Sequence, residues 1–169
     1  MAKNTIKLKR YLNIVNEYAA AAAIIPGELI ELIAAGTVRA HATEGGNVLP
    51  MFALESELEG NGIDDAYAAG DKVQCQVTVR GEEVYAILED ENIVTIGDFL
   101  ESNGAGELQL HVPDPGSGGE VEYAHPLVGI ALEALDLTTS SGEASSEGPG
   151  LESSVSPLGF NRRIKIRIL

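Results

Sequence analysis

Tryptophan is absent from this chain of 169 residues, cysteine occurs once, and aromatic residues make up only 5%. A lone thiol, Cys75, permits no internal disulfide, so the fold cannot lean on oxidation and a cytoplasmic origin is expected. The apolar run at 19–25 is too short to span a bilayer, and its polar flanks lack a cleavage pattern. Few rings leave few platforms on which a sugar could stack. Basic charge is also scarce in the middle of the chain, which therefore lacks the stripe that nucleic acid or an anionic membrane surface would need.

The charge that is present is polarised. Of 11 Lys and Arg, four (Lys3, Lys7, Lys9, Arg10) lie in the first ten residues and four (Arg162, Arg163, Lys165, Arg167) in the last eight. All 26 acids fall between Glu17 and Glu152, so residues 11–161 carry 3 − 26 = −23 while the ends carry +8. An acidic body with two cationic ends suggests termini that grip a surface from which the body faces away. Hydrophobic content of 44% is ordinary for a folded domain, and the length suits one.

Period-two alternation of apolar and polar residues recurs, and Gly or Pro punctuates it. Residues 29–33 and 37–42, separated by Ala34-Ala35-Gly36, predict a hairpin whose last loop position needs positive φ. Val73, Cys75, Val77 and Val79 alternate with Gln74, Gln76 and Thr78, which places Cys75 in a core register. Beyond Arg80-Gly81-Glu82 the apolar residues of 83–89 predict a second hairpin with that strand. Further strands are expected at Leu108, Leu110 and Val112, after the turn Asn103-Gly104-Ala105-Gly106, and within 127–133. Ile164, Ile166 and Ile168 against Arg163, Lys165 and Arg167 give the clearest strand signal. With 19 glycines and short strand spacing, the pattern predicts an all-β barrel or sandwich. Residues 11–25 contain strong helix formers, yet Ile6, Leu8, Leu12 and Ile14 share one parity, and an extended 4–16 is favoured. Two stretches, 113–126 and the Ser/Gly-rich 138–157, read as loops.

No catalytic signature stands out. His41, His111 and His125 share no metal-ligand spacing and have no cysteine beside them, so neither metal nor cofactor is expected. Asp64-Asp65 and Glu89-Asp90-Glu91 lack the alternating spacing of a calcium loop and read as solvated turns. No nucleophile elbow, phosphate loop or zinc-protease helix occurs, so the chain is not read as an enzyme. A hydrolase built on Asp64-Asp65 would require those carboxylates to converge in a pocket.

The ends carry the functional argument. Ile6 and Leu8 alternate with Lys7 and Lys9, and about ten extended residues reach roughly 33 Å. Such an arm can add to another subunit's sheet edge through backbone hydrogen bonds. The expected contact residues are Lys3, Thr5, Ile6, Lys7, Leu8, Lys9, Arg10, Leu12 and Ile14, with Arg163, Lys165 and Arg167 as a second contact strand. The alternative is that these charges simply balance the body's own acids.

An ordered series of segments resembles the head decoration, or cement, proteins of tailed viruses of bacteriophage type. It runs through Pro26-Gly27-Glu28-Leu29-Ile30-Glu31-Leu32, Gly36-Thr37-Val38-Arg39-Ala40-His41 and Gly45-Gly46-Asn47-Val48-Leu49-Pro50-Met51-Phe52-Ala53-Leu54-Glu55. It continues through Ala66-Tyr67-Ala68-Ala69-Gly70-Asp71-Lys72-Val73, Gly81-Glu82-Glu83-Val84-Tyr85-Ala86, Ile96-Gly97-Asp98-Phe99-Leu100-Glu101-Ser102-Asn103-Gly104 and Val128-Gly129-Ile130-Ala131-Leu132-Glu133-Ala134. The resemblance covers about residues 3–136 and 163–169. It implies a small, β-tulip-like β-barrel, usually trimeric, at three-fold and quasi-three-fold sites outside the shell. Residues 1–18 would be an extended arm and 19–169 one barrel domain with a flexible loop at 138–157 and a closing strand at 163–169. The partners implied are the major capsid protein and the chain itself as a homotrimer, without nucleic acid or membrane. The location implied is the virion exterior after assembly in the host cytoplasm. The Ser/Gly-rich insert departs from the pattern, and with the loop at 113–126 it suggests another role, a virion-displayed module binding carbohydrate or a host surface.

Overall fold

The computed structural model describes residues 15–113, 126–138 and 162–169, and within them the chain is all-β. Twelve strands form two five-stranded sheets and a two-stranded ribbon. In the first sheet the order is β2 (Ile30–Ala34), β3 (Thr37–Ala40), β1 (Val15–Ala20), β5 (Lys72–Val77), β4 (Met51–Ala53). In the second it is β6 (Glu83–Ile87), β12 (Arg163–Ile168), β10 (Gly129–Ala131), β8 (Phe99–Ser102), β9 (Leu108–Leu110). The ribbon pairs β7 (Ile93–Val94) with β11 (Leu135–Asp136). The all-β expectation holds; among the described residues the two sheets stay open, and neither closes on itself as a barrel.

Each sheet has its own core. Ile24, Ile30, Val38, Met51, Val73 and Cys75 pack on the first, while Leu88, Leu100, Leu108, Ile164, Ile166 and Ile168 pack on the second. Leu29 and Phe52 belong to the first sheet's neighbourhood yet join the second core, and so couple the two halves. Cys75 is fully buried, and burial pushes its thiol up to about 12, which leaves it inert.

The β2–β3 hairpin forms as the alternation predicts, with Gly36 at φ +79. Ala34 pairs with Thr37, so the loop tightens to Ala35-Gly36 and a register shift lies between Leu32 and Ala34. The expected β5–β6 hairpin does not form. Both edges of β5 are taken, by β1 and β4, and after Arg80-Gly81-Glu82 the chain crosses to the second sheet, where β6 pairs with β12. Alternation fixed which residues are strand and said nothing of their partners. The alanine run begins inside β1 and leaves it at Ala20, before the turn at Pro26-Gly27.

Candidate functional site

All nine expected arm residues, Lys3 to Ile14, lie outside the described residues, as do His125 and most of both long loops. What the structure gives is the strand that the arm expected at 1–18 would run into. Val15 is opposite Gln76 and Asn16 opposite Cys75, so residues 15–18 are already part of β1 inside the first sheet. The segment before Val15 is therefore tethered to a strand held by β5 from Val15 to Ala19 and by β3 at Ala19 and Ala20.

The closing strand is split in its behaviour. Its isoleucines fill the second core. Arg163 is only 3% exposed: Nη2 donates to the Pro26 carbonyl at 2.8 Å and to the Ile63 carbonyl, and Nη1 donates to Asp64 Oδ1 at 3.0 Å. Gly27 allows this approach, because a Cβ there would stand 3.2 Å from Arg163 Nε and 3.1 Å from the Tyr85 carbonyl. Lys165 and Arg167 remain about half exposed, at 53% and 51%, and both pair with Glu83 at 3.0 and 2.7 Å. Arg167 and then Lys165 hold the Glu83 carboxyl below its usual range by hydrogen bonding. The cationic face predicted for 163–167 thus consists of two residues in solvent and one that is committed to its own fold.

Next to Arg163, Arg162 pairs with Glu107 and lies beside Glu28, whose Oε2 accepts from the Ile25 N–H at 3.2 Å. Burial is the main cause that raises the Glu28 carboxyl to about 7, and the nearby Glu107 charge adds to it. Nothing in the sequence around Glu28 signals this cluster, since its members come from residues 28, 107 and 162.

The remaining titratable candidates have structural partners. His41 is buried with Nδ1 2.7 Å from Ser102 Oγ, and His111 Nδ1 is 2.6 Å from Glu101 Oε2. Asp64 anchors Arg163, while Asp65 accepts from the Gly62 N–H at 2.7 Å, so the two carboxylates serve different partners. Glu89 accepts from Asn92 and Asn103 in a turn. Among the described residues no three His, Cys, Asp or Glu are grouped to hold a metal ion, and no helix is long and apolar enough to cross a membrane.

One feature open to a partner is a groove of about 550 Å³ between β4 and β5 on one wall and β6 on the other; a more acidic hollow of about 730 Å³ lies at Glu44, Glu89, Glu91 and Glu101. Phe52, Leu54 and Val84 line the groove, with Glu55, Glu82 and Glu83 also present. The backbone of β6 faces it. Leu88 N–H donates to the Arg162 carbonyl and Ile168 N–H to the Glu82 carbonyl, so even-numbered residues of β6 bond to β12. The N–H and C=O groups of Glu83, Tyr85 and Ile87 then point the other way. Gly27 takes up the N–H of Ile87, which leaves Glu83 and Tyr85 presenting an open edge among the described residues.

No family model and no curated protein matches the chain. Among solved structures, the head fiber N base of bacteriophage phi29 has a similar fold, with a TM-score of 0.52 at 13% identity. The match covers 92% of this chain and 93% of that one. At such identity the likeness is one of fold.

Proposed function

We propose that the chain is a structural protein of a tailed-virus head, fastened to the outside of the capsid shell by its N-terminal segment and lacking catalytic activity. Copies sit as trimers at three-fold and quasi-three-fold sites, tie neighbouring major capsid protein subunits together and hold the shell against internal pressure. The observation that carries this reading is charge polarity: a body of −23 with a cationic segment rooted in a central strand. The fold shared with a bacteriophage head fiber base over nearly the whole of both chains supports it, as does the resemblance of the ordered segments. Repetition of a modest contact around a trimer gives avidity without high individual affinity. Of the closing strand, Lys165 and Arg167 are available as a second contact, whereas Arg163 is not.

The test is sedimentation of the protein with expanded heads. The full chain should co-sediment at saturation, and a chain lacking residues 1–13 should stay in the supernatant while keeping its folded spectrum. Equal coating by the truncated chain would remove the arm from the mechanism.

A further inference from the structure

The open edge of β6 is a second place where an extended strand can bind, and its chemistry matches one segment of the chain. We propose that this edge receives the N-terminal segment of a second copy, with residues 6–9 adding as a short strand beside residues 83–85. Ile6 and Leu8 lie on one face of such a strand and Lys7 and Lys9 on the other. The groove offers the complement, with part-buried Leu54 and Val84 beside acidic Glu55 and Glu82. Its own cation, Arg163, is already neutralised by Asp64. Backbone groups of Glu83 and Tyr85 supply the bonds, and the alternate side chains supply the choice of partner.

The donor's geometry favours a neighbour over the same chain. Val15 pairs with Gln76 near the end of β5, so a chain continuing the line of β1 leaves the sheet beside the 79–82 turn. The fourteen residues before Val15 can reach roughly 46 Å when extended. To meet its own β6 the segment would have to turn back within residues 10–14, a turn that a neighbour's edge does not require, and pairing within one chain would leave the full chain monomeric. Arm-to-edge contact is heterologous, so copies close into a ring or grow into a chain. The inference rests on the reading of this segment as a fastening arm, and it names another surface that the arm can hold.

Two variants separate the halves of the contact. Deletion of 1–13 keeps the groove and has no strand to give. Tyr85→Pro keeps the arm but removes an outward N–H, and because that group faces away from β12 the pairing with Lys165 is retained. In sedimentation velocity between about 1 and 100 µM, the full chain should associate reversibly. Each variant alone should run as a monomer, and an equimolar mixture should form a one-to-one complex. Complex formation should weaken by about tenfold or more as salt rises from about 0.05 to 0.5 M. A full chain that is monomeric throughout, a deletion variant that associates as strongly as the full chain, or a mixture that stays monomeric would each overturn the proposal. If Tyr85→Pro loses its folded spectrum, the double variant Glu55→Lys/Glu82→Lys replaces it, its repelling rim leaving only the arm functional. Coating of heads is read separately: heads that still require residues 1–13 while the mixture stays monomeric would defeat this inference and leave the fastening arm standing.

Discussion

Arg163, Lys165 and Arg167 share one parity on β12 and one kind of charge, and only the fold tells them apart. The segments at Pro26 and at Ile63-Asp64 cover the start of the strand, so Arg163 is enclosed and the other two are not. No pattern local to β12 could signal this, because the covering residues lie 99 and 137 positions away. Replacing Arg163 with Met should leave two carbonyls and Asp64 without their donor and lower stability by about 2–3 kcal/mol in urea unfolding. Lys165→Ala should leave the unfolding midpoint essentially unchanged, since its pair with Glu83 lies in solvent. Equal loss from both variants would contradict the difference in enclosure.

Glu28 makes the second residue-scale prediction. Burial raises its carboxyl from the ordinary 4.5 to about 7 in the folded chain, so the folded state holds that proton more tightly than the unfolded one. The Glu28 contribution to stability is therefore full below about pH 4.5 and declines as pH climbs through 7. Glu28→Gln should remove this decline, so that the variant gains on the parent by on the order of 1–3 kcal/mol between pH 4.5 and pH 8. A stability difference that is flat with pH would show that the carboxyl is not raised.

At the scale of elements, alternation located β3, β5, β9 and β12, whose buried apolar residues share one face. It also located β2, although of its apolar residues only Ile30 is buried while Leu32 and Ile33 are exposed. It could not tell how they pair. A strand's neighbours depend on long-range register, and β5 and β6, adjacent in sequence across a Gly turn, end in different sheets. The arm shows the same limit. Parity suits an extended N-terminal segment, yet only the pairing of Val15 with Gln76 shows that residues 15–18 belong to the sheet. Truncation up to residue 13 should therefore leave a cooperative unfolding transition in place. Truncation up to residue 18 removes the residues of β1 opposite Gln76, Cys75, Gln74 and Val73, and should abolish that transition. A chain starting at residue 19 that melts like the parent would mean that β1 is dispensable.

For the whole molecule, the sequence carried fold class and charge polarity well, since both are sums over many residues. Site geometry was carried poorly. The Arg163 anchor, the Glu28–Arg162–Glu107 cluster and the open β6 edge each assemble residues from distant parts of the chain. On the proposed reading, the acidic charge, net −15 for the chain even with its cationic ends, would keep coated particles apart in solvent.

The most direct measurement is a three-dimensional reconstruction of the assembled head with this protein bound. The account predicts its density over local three-fold positions, the acidic body outward, and residues 3–14 running from β1 onto a neighbouring polypeptide of the shell. The closing strand already sits in its own sheet, so an N-terminal segment folded against its own subunit, with no other polypeptide in contact, would contradict the account.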